Sequence, residues 1–186
     1  MCNNSNIKSV ISLIDVYEHS STHKNVNFTI DDVCLVIDSQ GYYLRDRFYP
    51  KEVAIRTTDF TLHFVFELPK IKDLTLTEKK TIHYCLNSIH GLEWNDNQPA
   101  LPLETFEIII NNLYKKYSTT KKRYIVCKNN QLQKLLLDNT WLPIVNYNGD
   151  VNFENPSIVC KLNHKGQRCA LKKVENIYND LSSSKK

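Results

Sequence analysis

The stretch Cys34-Leu-Val-Ile-Asp38 carries the clearest strand signal in the chain. It is a short, partly β-branched apolar run that ends in an acid, and such a run predicts a buried strand. The residues that follow it, 39–42, include a glycine and predict a turn. Two further strands are predicted at residues 49–55, which begin beside a proline, and at residues 60–66, which partly alternate and stop before Pro69. Three successive strands therefore open the fold.

Helices and strands alternate in the remainder of the chain. Thr75-Leu-Thr-Glu78 matches a capping box, which predicts a helix that runs to about residue 88. The apolar spacing from residue 102 to residue 114 predicts an amphipathic helix. The remaining predicted elements are a strand at 122–127, a helix at 130–137, a strand at 141–145 and a closing helix at 170–181. This order predicts an α/β fold with one mixed sheet flanked by helices.

Length and glycine content bound the class of protein. A chain of 186 residues fits a single domain. We place that domain at residues 25–181, between a flexible N-terminal arm at 1–24 and a frayed tail at 182–186. The chain has four glycines and neither G-x-G-x-x-G nor G-x-x-x-x-G-K-[ST]. A Rossmann or P-loop nucleotide site therefore has no support.

The length and position of the apolar stretches predict where the protein is located. Residues 1–20 have no basic region followed by a long apolar run, so they do not resemble a signal peptide. No stretch approaches 18 apolar residues, so no transmembrane helix is expected. We therefore expect an intracellular protein, cytoplasmic or nuclear, that is neither secreted nor bound in a membrane.

The formal net charge of +4 hides an asymmetry between the two parts of the chain. Residues 1–110 carry 10 Lys/Arg and 15 Asp/Glu, a balance of −5, whereas residues 111–186 carry 14 and 5, a balance of +9. A strongly basic half indicates an anionic partner such as nucleic acid. The alternative is a solvated lysine-rich surface with no partner.

Two of the six cysteines stand close to a histidine. In a chain without a secretion signal, cysteines are expected to be thiols or metal ligands rather than disulfides. Cys160, His164 and Cys169 have the spacing Cys-x3-His-x4-Cys, within ten residues of a polar segment. Zinc is bound by four tetrahedral ligands of these types, so a fourth ligand must come from elsewhere in the chain. The alternative is two buried free cysteines and a surface histidine.

Four fragments resemble the DEDDh lineage of exonucleases in their order and spacing. They are Val36-Ile-Asp38-Ser-Gln40, Lys51-Glu52-Val-Ala-Ile55, Ile89-His90-Gly91-Leu92 and Arg168-Cys-Ala-Leu-Lys-Lys173. The resemblance covers about residues 32–181 and implies a single RNase H-like domain. In that fold three leading strands precede the alternating helices and strands.

The residues that perform the exonuclease chemistry are mostly replaced. That chemistry uses two Mg²⁺ ions held by four carboxylates, together with a histidine. Asp38 stands in place of the first acid, but Gln40 replaces its glutamate partner and residues 127–138 offer no acid at the expected place. Arg168 stands in place of the histidine, and Lys173 in place of the last aspartate. Since cations repel metal ions, we expect no two-metal exonuclease activity and regard Asp38 as vestigial.

A second resemblance, to the Maelstrom-like domain, implies the fourth metal ligand. That family is a degenerate DEDDh-lineage domain with a Glu-Cys-His-Cys zinc site, and its glutamate lies in the second strand. In that family the glutamate lies in a Pro-x-Glu-Ile/Leu-Gly/Ala pattern, which the fragment Tyr49-Pro-Lys-Glu52-Val-Ala54 resembles. The implied ligands are therefore Glu52, Cys160, His164 and Cys169. Four protein ligands would make the zinc structural, clamping the last helix to the sheet. His90 remains the alternative fourth ligand.

Three functions stay open. The first is a catalytically degenerate domain that binds RNA or single-stranded nucleic acid, with a role in small-RNA silencing implied by the resemblance. Its basic residues lie near Tyr114, Tyr117 and Tyr124, which either stack on bases or pack in the core. The candidate contacts are Lys115, Lys116, Lys121, Lys122, Arg123, Lys128, Arg168 and Lys173.

The second function is a protein-interaction or structural module that has kept the fold. The third is an atypical active nuclease that uses Asp38 with Glu93 and Asp96. Some Maelstrom-like domains cleave single-stranded RNA without the ancestral acids, so the resemblance leaves RNA cleavage possible here. The position of the basic residues in three dimensions separates the first function from the second.

Overall fold

The computed structural model describes residues 27–95, 98–149, 158–162, 164 and 168–184 of the chain. The predicted arm at 1–24 and Asp96 lie outside the described residues. None of the described helices is long and apolar enough to cross a membrane.

The described residues form one six-stranded sheet and four α-helices, which confirms the predicted α/β class. The strands are β1 (Val33–Leu44), β2 (Arg47–Arg56), β3 (Thr61–Glu67), β4 (Leu101–Pro102), β5 (Tyr124–Cys127) and β6 (Ile144–Asn146). The helices are α1 (Leu76–Tyr84), continued by a π-helical turn at Cys85–Ile89, α2 (Thr105–Tyr117), α3 (Asn130–Asn139) and α4 (Ala170–Ser183).

The sheet is mixed, and its strand order is β4-β3-β2-β1-β5-β6. Strands β1, β2 and β3 form an antiparallel meander, whereas β5 runs parallel to β1 and β6 parallel to β5. Three leading strands are thus followed by alternating helices and strands, as the sequence predicts. The central strands β1 and β2 are buried along most of their length, because helices cover both faces of the sheet.

The predicted turn at residues 39–42 is wrong, since these residues continue β1. The chain reverses at Arg45 and Asp46, which both have positive φ angles, 51° and 57°. The glycine that suggested a turn, Gly41, instead lies next to a register shift in the β1–β2 pairing. A Cβ atom there would overlap the carbonyl oxygen of Tyr49 and lie 2.9 Å from Cα of Pro50. Gly41 is therefore required by the close approach of two strands.

Several predicted boundaries also shift. Residues 102–104 are not helical, because Leu101 and Pro102 pair with β3 as the short strand β4. Strand β6 begins at Ile144 rather than at residue 141. Helix α4 continues to Ser183, two residues into the predicted tail. The capping box at Thr75 and Glu78 is present as predicted, with Thr75 N–H to Glu78 Oε2 at 2.7 Å.

The alternation of side chains along the strands creates two separate cores. On one face, α2 and α3 cover the larger core, which includes Leu35, Ile37, Val53, Ile55, Phe106, Ile110, Ile125, Leu132 and Leu136. On the other face, α4 packs through Ala170, Val174 and Ile177 on a smaller core that includes Val33, Val36, Ala54, Val126 and Tyr147. Asp38 and Glu52 lie two residues along their strands from Val36 and Ala54, and they therefore share the face under α4.

The Gly41→Ala variant tests the close approach of β1 and β2. We expect it to lower the free energy of unfolding by about 1–3 kcal/mol, because the added methyl group meets backbone that cannot move aside. Urea denaturation followed by tryptophan fluorescence measures the loss. The matched control is Asp46→Gly, which suits the positive φ of the turn and should not destabilise the protein. A Gly41→Ala variant as stable as the wild type would contradict this role of Gly41.

Candidate metal centre

The site is built around Glu52, a carboxylate in the middle of a buried strand. Its side chain is fully inaccessible to solvent. In the sheet Glu52 pairs with Gln40 of β1 on one side and with Val65 of β3 on the other. A buried carboxylate is strongly unfavourable unless it is paired with a cation or with hydrogen-bond donors. The groups around Glu52 are therefore expected to compensate its negative charge.

Glu52, Cys160, His164 and Cys169 form one cluster. A ligand atom from each of the four lies within 4.8 Å of the others. His164 Nε2 is 3.1 Å from Glu52 Oε1, and Cys169 Sγ is 3.9 Å from the same oxygen. Cys160 and His164 come from the segment before α4, and Cys169 is the N-cap residue of that helix. The structure thus brings together, across more than a hundred residues, the four ligands that the Maelstrom-like resemblance implies.

The donor set suits a zinc ion. Two thiols, one imidazole and one carboxylate are all groups that bind zinc in tetrahedral sites. The Nδ1 atom of His164 is buried and has no hydrogen-bond partner among the described residues. A buried ring nitrogen without a partner is unfavourable, and coordination of the ring by a metal fits that environment. The cluster could therefore hold a metal ion and is compatible with zinc.

The electrostatics of the cluster also indicate a cation. Burial alone would lower the pKa of His164, but its hydrogen bonds to Cys169 and Glu52 outweigh this and raise the pKa to about 10. Burial would raise the pKa of Glu52, yet the hydrogen bonds from His164 and His63 hold it below its usual value. Without a metal, the cluster therefore retains a proton on His164. A divalent cation would place positive charge, two units instead of one, at the same point.

Glu52 has two partners that the sequence analysis missed. His63 Nε2 lies 2.7 Å from Glu52 Oε1, and the backbone N–H of Ala170 donates to Oε2 at 3.3 Å. His63 lies in β3, where it pairs with Ala54, and so it shares the face of the sheet that carries Glu52. The only sequence signal for His63 was its place in a predicted strand, which does not specify its neighbour.

His90, the alternative fourth ligand, has a different environment. It is fully buried, with Nε2–H donating to the carbonyl of Gly41 at 3.1 Å and Nδ1 accepting from the N–H of Leu92 at 3.0 Å. Its ring also stands edge-on to Tyr42. Burial lowers the pKa of His90 to about 4, so the imidazole is neutral. Both ring nitrogens therefore serve to fix the loop after α1 against β1.

Asp38 and Lys173 form a second charged pair under α4. Lys173 Nζ is 2.8 Å from Asp38 Oδ1, and the Asp38 side chain is fully buried. Oδ2 of Asp38 has no hydrogen-bond partner among the described residues. Burial raises the pKa of Asp38 to about 6, although the nearby Lys173 ammonium partly offsets it. The lysine thus lies beside the acid with which the resemblance aligns the first metal ligand of an exonuclease.

The predicted basic residues separate into groups rather than share one face. Lys116, Lys121 and Lys122 line a groove of about 930 Å³ at the start of β5. Lys128 follows the end of β5, where it contacts the carbonyl of Gly149, and Lys173 lies at that same end against Asp38. At about 3.3 Å per residue, the two ends of this four-residue strand are roughly 10 Å apart.

The other predicted contact residues are placed as follows. Lys115 and Arg168 are exposed, and the Arg123 guanidinium lies 4.9 Å from the centre of the Tyr124 ring. Tyr114 and Tyr117 pack against the larger core and Tyr124 against the smaller one, so all three are partly buried packing residues. Of the acids considered for an atypical nuclease, Glu93 is exposed and Asp96 lies outside the described residues.

Comparisons of the chain with protein-family models, with curated proteins and with solved structures find no match.

The Lys173→Met variant tests the buried ion pair. It leaves the Asp38 carboxylate without its partner, and we expect a loss of about 3–5 kcal/mol of stability at neutral pH. In this variant the pKa of Asp38 should exceed its value of about 6 in the wild type. Because a pKa raised in the folded state favours folding at low pH, the loss should be larger at pH 8 than at pH 5.

Urea denaturation at both pH values measures this difference, with Lys172→Met as the control for removal of a neighbouring charge on α4. A Lys173→Met protein that is equally destabilised at pH 5 and pH 8 would show that loss of packing, and not the Asp38 charge, explains the effect.

Proposed function

We propose that this chain is a zinc-stabilised, catalytically degenerate nuclease-like domain of the Maelstrom-like, RNase H-like kind, which binds RNA or single-stranded nucleic acid. The observation that carries the proposal is the cluster of Glu52 with Cys160, His164 and Cys169. The order of the strands and helices supports it, since three leading strands precede the alternating elements. The resemblance further implies a role in small-RNA silencing.

Zinc in this site would be structural. All four positions would be filled by protein side chains, so no position would be left for water or substrate. The ligands join the middle of β2 to the N-terminus of α4 and to the segment before it. The bound ion would therefore fasten α4 to the sheet and contribute free energy to folding.

The proposal includes the loss of two-metal exonuclease chemistry. That chemistry needs several carboxylates around two cations, whereas here the Lys173 ammonium is bonded to Asp38. A metal ion at Asp38 would have to displace this ammonium and would then be repelled by it. Gln40, a neutral amide, is a weak substitute for an anionic ligand.

The groove at the start of β5 is the place where we propose that nucleic acid binds. Lys116, Lys121 and Lys122 line it together with Tyr117, and phosphates bind to such lysines. Asp31 and Asp59 also line the groove, so its positive charge is partly offset.

We place the protein inside a cell, and its five described cysteines, all free thiols, fit a reducing compartment.

A protein-interaction module is the second candidate, and one surface favours it. Trp141 is 84% exposed just after α3, and Leu137 of the same helix is 39% exposed. Exposed large apolar side chains of this kind are frequent in protein interfaces. The described basic residues also lie in separate groups and form no single continuous surface for nucleic acid. This arrangement favours a protein partner.

Metal analysis tests the zinc site directly. We expect about one zinc per chain in the purified protein, and we expect the Cys169→Ser variant to lose it. A loss of about 3–5 kcal/mol of folding energy would lower the melting temperature by roughly 10 °C in a domain of this size. The control is Cys85→Ser, which removes a half-buried thiol outside the cluster. A well-folded wild-type protein without metal would refute the zinc site.

Binding to single-stranded RNA tests the groove. Three lysine–phosphate contacts predict a slope near −2 in a plot of log affinity against log salt, which is roughly a 20-fold loss between 50 and 200 mM salt. Replacing both Lys121 and Lys122 by Gln should make this slope shallower by about 1.4. The control replaces Lys79 and Lys80 of α1 by Gln, which removes the same charge elsewhere.

Two results would contradict this assignment. Equal effects of the two double variants would exclude the groove as the binding site. No binding at low salt to single-stranded RNA or DNA would exclude the nucleic-acid function and favour a protein partner.

A further inference from the structure

We infer that His63 is a positioning residue of the metal centre, which holds the Glu52 carboxylate in the orientation that a ligand needs. This inference rests on the proposed zinc site and adds to it a fifth side chain, from a strand that supplies no ligand. The contact that carries it is the 2.7 Å distance between His63 Nε2 and Glu52 Oε1.

The position of His63 is fixed by the sheet rather than by a flexible loop. In the β2–β3 pairing, Ala54 lies opposite His63 and Glu52 lies opposite Val65, so His63 and Glu52 are diagonal neighbours on one face. Diagonal pairs of this kind are within reach of long or aromatic side chains. The pairing of β2 and β3 therefore places the His63 imidazole beside the Glu52 carboxylate, and no further change in the backbone is needed.

The two oxygens of Glu52 have separate donors. Oε2 accepts the backbone N–H of Ala170, while Oε1 is approached by the rings of both His63 and His164. His164 would itself be a ligand of the metal ion, whereas His63 lies outside the ligand set. The N–H of His63 would then be the side-chain donor that keeps the carboxylate from rotating. Hydrogen bonds to ligating groups are how metal sites fix the orientation of their first ligands.

The net charge of a zinc-occupied site is a second argument for the role of His63. Two thiolates and one carboxylate carry three negative charges against the two positive charges of Zn²⁺. A hydrogen-bond donor aimed at the carboxylate stabilises this excess negative charge. The His63 side chain is 22% exposed, whereas Glu52 is fully buried, so His63 is the more solvent-accessible member of the pair.

Zinc affinity, measured by competition with a chromogenic chelator, tests the inference. His63→Ala should weaken zinc binding 10–100-fold while the stoichiometry at saturation stays near one, as is typical for partners of metal ligands. His63→Phe keeps the bulk without the donor and should weaken binding to a similar extent. His63→Gln, which restores an N–H donor, should recover most of the affinity.

His83→Ala, at an exposed position of α1, is the control and should bind zinc like the wild type. The visible spectrum of the Co²⁺-loaded protein gives a second readout, and it should change in His63→Ala and His63→Phe but not in His83→Ala. A purely structural role for His63 would lower stability without altering this spectrum.

The possible results are distinguishable. Wild-type protein that binds neither zinc nor Co²⁺ would refute the metal site itself. Wild-type protein that binds zinc, with His63→Phe or His63→Ala binding it within twofold of the same affinity, would overturn the role of His63 alone. If His63→Ala fails to fold, the comparison of His63→Phe with His63→Gln decides the question.

Discussion

A charged carboxylate buried in the middle of a central strand is the constraint on which this fold depends. Glu52 is enclosed between the sheet and α4, and it has no access to solvent. Such a charge is tolerated only when positive or hydrogen-bonding groups surround it, and here they come from three parts of the chain. His63 comes from β3, His164 from the segment before α4, and Cys169 and Ala170 from the start of the helix.

The sequence predicts those features that depend on local chemistry. The buried run at residues 34–38 and the capping box at Thr75 and Glu78 are signals contained within a few residues, and both occur in the structure. The ligand types were also readable, since Cys160, His164 and Cys169 lie within ten residues of one another. Glu52 was implied by a resemblance to a family, and the one local signal for it is that a glutamate within an apolar strand needs a partner.

The features that sequence reasoning missed depend on contacts between distant strands. Gly41 was interpreted as a turn residue, but its small size serves the approach of β2. His63 reaches Glu52 through the register of two strands, and a register cannot be seen in either strand alone. In each case a partner distant in sequence decides the role of the residue.

Asp38 and Glu52, the two buried acids under α4, each contact a different residue of that helix. Cys169 and Lys173 are four residues apart, which places them one turn apart on a single helical face. The first joins the cluster at Glu52, and the second supplies the cation for Asp38. The core under α4 is the smaller of the two cores, and these two charged contacts add to its packing in holding the helix on the sheet. Among the described residues, this face is therefore occupied by the helix and by the groups that compensate its two acids, whereas the groove lined by Lys116, Lys121 and Lys122 lies at the start of β5.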